Sequence, residues 1–181
     1  MTQPMQVTKP TSISETIQDA INDQIQAEFE SAYLYLAMSA KMEQLHLKGF
    51  AHWLRLQWQE ETQHALKFYD YLLQRDGVIQ LKELPTPRFT AETPLEIFEL
   101  VLEHEQYITR RINDLYALAA QEHDYAFQTL LQWFISEQLE EEEAARDIID
   151  DLRLVGDAGA SLFLLDRELG QRQPEEEADG E

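Results

Sequence analysis

A chain of 181 residues with 35 Asp and Glu against 14 Lys and Arg carries a formal charge of −21, which repels phosphate backbones and argues against nucleic acid and anionic membrane surfaces as partners. Its length suits one domain with a substantial core. It has no cysteine, so disulfide frameworks, thiolate metal sites and thiol catalysis are excluded, and any bound metal must take oxygen or imidazole ligands.

The opening residues MTQPMQVTKPTSIS hold no apolar run of the signal-peptide kind, and no uninterrupted apolar stretch of about 18 residues occurs anywhere. A cytoplasmic protein is the expectation. With 6 Gly and 6 Pro, set outside long stretches rich in Ala, Leu, Glu and Gln, the composition points to helices throughout.

Residues 1–12, with Pro4 and Pro10, read as a mobile arm. A first helix, capped near Ser12 or Ser14, runs to about Met42. A second spans about Gly49 to Asp76 and is closed by Gly77 in the position that tolerates the left-handed conformation. A crossover of about 17 residues follows, broken by Pro85 and Pro87, with room for one short strand at Val78–Leu81. Thr93-Pro94-Leu95-Glu96 is a strong start signal, combining an N-cap, a proline at the first helical position and the glutamate of a capping box. The third helix it opens reaches about Gln121. A fourth runs from about Tyr125 to Val155, stopped by Gly156-Asp157-Ala158-Gly159, and a short fifth ends at Gly170. Residues 171–181 read as a disordered acidic tail. The expected fold is all-α: one domain over residues 13–170, a four-helix bundle with a long crossover between helices two and three and a short C-terminal fifth helix.

Each long helix carries a stripe of inward positions spaced three or four apart, and the polar interruptions carry the information. Glu28 lies amid Ile17, Ile21, Ile25, Ala32, Tyr35 and Met42. Gln57, Glu61 and His64 interrupt the second stripe, Glu105 the third, and Gln138 and Glu141 the fourth. At about 1.5 Å of rise per residue, antiparallel first and second helices bring Glu28 and Glu61 within about 3 Å in height, and antiparallel third and fourth helices match Glu105 with Glu141. If the crossover makes helices two and three parallel, all four carboxylates share one layer. Four ionised carboxylates cannot stay unpaired in an apolar core, so cations or protons must neutralise them. Oxygen donors plus one imidazole suit a divalent first-row metal, with charge enough for two ions. A rim position or a protonated core group is the bland reading of any one glutamate; the matched heights and the Glu-x-x-His pair at Glu61 and His64 argue for metal.

QAEFESAYLYLAMS, QWQEETQH, EHEQYITRRIND, LQWFISEQLEEEE and LFLLDREL together resemble the bacterial non-haem ferritins, members of the ferritin-like di-iron carboxylate family, over about Ile13 to Leu169. The resemblance implies that Glu28, Glu61 and His64 hold one iron, while a bridging Glu61, Glu105 and Glu141 hold a second. Gln138 would hydrogen-bond at the site, with Tyr35 as the adjacent phenol. It further implies Fe(II) and O2 as substrates of a ferroxidase, and ferric oxyhydroxide stored in a homo-oligomeric shell of about 24 subunits. Haem-binding bacterioferritins carry Met after the second-helix glutamate and a second Glu-x-x-His in the fourth helix. Here Thr62 and Gln138-x-x-Glu141 stand there, so no haem is expected. Animal ferritins have acidic residues at the start of the fourth helix, where this chain has Gln128 and Leu131, so their iron-entry channel does not carry over to it.

Glu60, Glu137 and Glu140 flank the expected ligands and, by the same resemblance, form a third iron site; read alone, LEEEEA is more often a solvated helix face. Trp53, Trp58 and Trp133 read as packing residues, and His46, His52, His104 and His123 as surface residues. The rival functions are a rubrerythrin-like di-iron peroxidase or electron-transfer bundle, weakened by the missing second Glu-x-x-His, and a metal-free structural or partner-binding bundle.

Overall fold

The computed structural model describes residues 13–156 and 158–174; the expected arm at 1–12 and the acidic residues 175–181 lie outside them. Five helices follow in order: α1 (Glu15–Gln44), α2 (Lys48–Gln74), α3 (Pro94–Gln121), α4 (Tyr125–Val155) and α5 (Gly159–Leu169). Three start on the caps that their sequences offer. Ser14 Oγ accepts from the Ile17 amide at 3.2 Å, Thr93 and Glu96 form the reciprocal capping box, and Asp124 Oδ1 accepts from Phe127 N at 3.0 Å. These bonds satisfy amides that a helix start otherwise leaves open.

The core forms two apolar clusters, one at each end of the bundle. At one end Met38 and Met42 of α1, Phe50 and Leu54 of α2, Phe98 and Val101 of α3, and Ile148 and Leu152 of α4 pack together. At the other, Ile17 and Ile21 meet Phe68, Leu72, Ile112, Leu115, Phe127 and Leu131. Residue order in the two clusters makes α1 antiparallel to α2 and α3, with α4 parallel to α1. Helices α2 and α3 therefore run the same way, and the crossover traverses the length of the bundle as expected.

No strand forms at 78–81 among the described residues. The crossover backbone is held by polar side chains of α1 instead: Gln18 Oε1 accepts from Val78 N at 2.9 Å, Asn22 Nδ2 donates to Val78 O at 2.9 Å, Asn22 Oδ1 accepts from Gln80 N at 2.7 Å, and Gln26 Nε2 donates to Glu83 O at 2.8 Å. Residues 18, 22 and 26 lie on one helix face, which takes the role that a neighbouring strand would otherwise fill. The end of α2 also differs from expectation. Asp76, not Gly77, adopts the left-handed conformation, at φ 57°. Gly77 is needed for space, because a Cβ there would lie 2.2 Å from Leu72 Cδ1.

Helix α2 lacks a side-chain cap of its own. Asp166 of α5 supplies it, with Oδ1 accepting from Gly49 N at 2.7 Å and Phe50 N at 3.1 Å. Gly49 permits that approach, since a Cβ would fall 1.5 Å from the Asp166 carbonyl oxygen. Beyond α5, Arg172 packs on α2 within the segment expected as the acidic tail. Asp166→Ala is expected to cost about 1–2 kcal/mol, the usual worth of a lost cap, and Asp166→Asn much less; chemical denaturation followed by circular dichroism checks both.

Candidate metal centre

Between the two apolar clusters lies a layer of polar side chains contributed by α1 to α4. Glu28 is 0% exposed, Glu61 and Glu105 1%, and Glu141 6%. Ligand atoms of Glu28, Glu61 and His64 lie within 4.8 Å of one another, and so do those of His64, Glu137 and Glu141. His64 Nδ1 stands 3.5 Å from Glu61 Oε2, and its Nε2 stands 3.9 Å from Glu137 Oε1. The imidazole is wedged against the rings of Trp133 and Phe134.

Hydrogen bonding in this layer is uneven, and the pattern is informative. Glu105 accepts from the Tyr35 hydroxyl and from Gln138 Nε2 at 3.1 Å. Gln138 also reaches the Glu105 carbonyl at 3.2 Å and Thr109 Oγ1 at 3.3 Å. Glu141 Oε2 accepts from Gln57 Nε2 at 2.7 Å, and Glu28 Oε1 accepts from Gln24 Nε2 at 2.8 Å. By contrast, Glu28 Oε2 and both oxygens of Glu61 receive no hydrogen bond from an amide, hydroxyl or imidazole; a proton shared between the two carboxyls is the protein-borne link at this point. Buried acceptors left open cost free energy unless something unaccounted for fills them. Clustered beside His64, these three oxygens make a donor set suited to a divalent cation.

Burial raises the pKa of Glu28, Glu61, Glu105 and Glu141, with mutual repulsion adding to the rise at Glu61 and Glu141. Tyr35 is driven well above its ordinary value by burial and by Glu105, Glu61 and Glu141, so its phenol keeps the proton.

The structure thus brings Glu28, Glu61, His64, Glu105, Gln138, Glu141 and Tyr35 into one layer. Glu60, Glu137 and Glu140 do not form a single ligand group among the described residues. Glu137 joins the His64–Glu141 group, Glu60 is ion-paired to Arg172, and Glu140 is exposed. Sequence reasoning missed two supports. Arg111 Nε donates to Gln24 Oε1 at 2.9 Å, which orients the amide bonded to Glu28. Arg172 donates to Gln57 Oε1 and thereby orients the amide bonded to Glu141. Gln24 sits four residues before Glu28 on its own helix, so the i,i+4 spacing was the available signal there, whereas for Gln57, bonded across to α4, the signal was its inward place on the α2 stripe. His104, expected at the surface, is mostly enclosed: its Nε2 lies 2.7 Å from Ser31 Oγ, its ring meets Tyr35 edge-on, and burial lowers its pKa to about 4.

The ferritin-like domain model matches residues 18–155. The chain belongs to the ferritin family. It is 44% identical over 160 residues to the bacterial non-heme ferritin of Bacteroides fragilis (strain 638R), covering 88% of this chain and 99% of the relative. It is 36% identical over 165 residues to the bacterial non-heme ferritin of Staphylococcus haemolyticus, covering 91% and 99%. Among solved structures, an open pore ferritin from the archaeon Archaeoglobus fulgidus superposes with a TM-score of 0.88 at 46% identity, covering 89% of this chain and 99% of that one. Membership of this family accords with the all-α bundle and its buried carboxylate layer.

The raised glutamate pKa values give a pH test of the metal-free protein. A folded-state pKa above the unfolded one means that the native protein retains protons the unfolded chain has released. Stability from this source is full below the ordinary value of 4.5 and is lost as pH rises through the elevated values. Thermal unfolding after chelation is expected to show a melting temperature that falls from pH 5 to pH 8, and Glu61→Gln should flatten that dependence.

Proposed function

We propose that this chain is an iron-storage ferritin with ferroxidase activity. Fe(II) and O2 are its substrates, and ferric oxyhydroxide is kept inside a shell of about 24 copies. The observation that carries the reading is the trio of carboxylate oxygens on Glu28 and Glu61, bonded by no amide, hydroxyl or imidazole, beside His64 and between two apolar clusters.

In this reading Glu28, Glu61 and His64 bind one Fe(II), and Glu61, Glu105 and Glu141 bind a second. Each Fe(II) gives up one electron to O2, and the protein supplies geometry and proton management. Glu61, with neither oxygen engaged by an amide, hydroxyl or imidazole, is free to bridge the two ions. Gln138 and the Tyr35 hydroxyl fix the rotamer of Glu105. Burial and mutual repulsion raise the pKa values of these glutamates, so metal binding here is coupled to proton release. The elevated pKa of Tyr35 keeps an O–H donor beside the site.

Assembly is supported by apolar side chains that one subunit leaves in solvent: Val78 and Leu81 on the crossover, Leu154 near the end of α4, and Phe163 and Leu164 on α5. Exposed apolar surface of this kind marks contact with another chain. Among the described residues no helix is long and apolar enough to cross a membrane, and a cytoplasmic location, with residues 13–170 as one domain, completes the proposal. The rubrerythrin-like alternative is disfavoured because α4 offers Gln138, whose amide donates to Glu105, where a second Glu-x-x-His would begin.

Glu61→Ala should abolish the fast oxidation of the first two Fe(II) per subunit in stopped-flow absorbance while slow mineral growth persists; wild-type kinetics would refute the centre. Light scattering at neutral pH and moderate salt should report the shell, and a stable monomer or dimer would refute storage.

A further inference from the structure

The segment that follows α5 turns onto α2 beside the metal centre, and Arg172 makes several contacts that hold it there. Its Nη2 lies 3.1 Å from Glu60 Oε1 and 3.0 Å from Glu60 Oε2. Its Nη1 donates to Gln57 Oε1, its guanidinium sits 4.9 Å from the centre of the Trp53 ring, and its carbonyl oxygen is 2.9 Å from His52 Nε2. The four partners, at positions 52, 53, 57 and 60, occupy one face of α2. A side chain held by a carboxylate, an amide and an indole, with its own backbone bonded as well, is a built contact.

Glu60 is one of the three acids that flank the paired-metal centre, and it is the one whose carboxylate Arg172 engages through both oxygens. A metal ion at Glu60 would need the same lone pairs and would meet a positive charge already in place. The other two acids do not compensate. Glu137 faces the His64 imidazole at 3.9 Å, and Glu140 is exposed. The tether favours the arginine further. Arg172 lies two residues past Gly170, at the end of a helix pinned to the start of α2 by Asp166, so its effective concentration at Glu60 is on the order of millimolar or higher.

We infer that Arg172 occupies, with its own charge, the place of a third metal ion at Glu60, so that the C-terminal segment decides whether that site can open. Arg172 is a positioning residue and a competitor for the acid. The inference rests on the proposed centre only for the two ions that neighbour it.

Calorimetric titration of the assembled, iron-free protein with Zn(II) under anaerobic conditions, paired with anomalous diffraction from Zn(II)-soaked crystals, tests this. Wild type should bind about two ions per subunit in the glutamate layer and none at Glu60. Because Arg172 also orients Gln57, which donates to Glu141, the readout is the ion's position: Arg172→Gln should show an added ion on Glu60 in the anomalous map, and the double variant Arg172→Gln, Glu60→Gln should lose it. Zn(II) on Glu60 in wild type, or no Zn(II) on Glu60 in Arg172→Gln, overturns the inference. Ending the chain after Gly170 provides a second variant with the same expected gain, and the wild-type soak decides the matter if either variant is unstable. A wild type that leaves Glu28, Glu61 and His64 empty refutes the paired-metal centre instead, and the Glu60 comparison stays readable.

Discussion

Four carboxylates forced into one dry layer are the constraint around which the rest of this structure is arranged. Each would be tolerable alone if protonated, but together at close range they cannot all ionise without a cation among them. The bundle answers in three ways. It confines them to a single level between two apolar clusters. It gives Glu28, Glu105 and Glu141 at least one hydrogen-bond donor each. It leaves Glu61 without an amide or hydroxyl donor, so the strongest demand for positive charge falls at the centre of the layer, next to the His64 imidazole.

That demand is also met from a distance. Two buried glutamines, Gln24 and Gln57, each pass the polarisation of an arginine to a layer carboxylate, from Arg111 on α3 and from Arg172 beyond α5. An amide used in this way lends orientation and partial charge without bringing a full cation into the core, which would then compete with metal. The pairing reconciles a stable metal-free fold with a site still open to divalent ions.

How much was legible in the sequence follows from the range of the interactions. The helices and the Thr93–Glu96 capping box are local, so periodicity and cap chemistry foretold them to within two residues or so. The shared level of Glu28, Glu61, Glu105 and Glu141 was also accessible, because helical rise converts sequence position into height. What escaped was set by tertiary partners. The backbone at 78–81 has strand-like composition, yet side chains on α1 claim its hydrogen bonds. His104 resembles a surface histidine until Ser31 and Tyr35 enclose it. Gln24 and Arg172 carry no meaning by themselves; each acquires one only when a residue 87 or 115 positions away is brought alongside.

The cap that Asp166 places on α2 links distant moments in the making of the molecule. Gly49 and Phe50 leave the ribosome long before Asp166, which is 117 residues downstream of the amide it serves. The start of α2 must therefore fray in the nascent chain and wait, its amides solvated, until the fifth helix is complete. Closing so long a loop carries an entropic cost that only a nearly finished bundle can offset. The fifth helix thus acts as a clasp on the second, and a chain interrupted before it would carry a bundle whose second helix is loose at the end nearest α5.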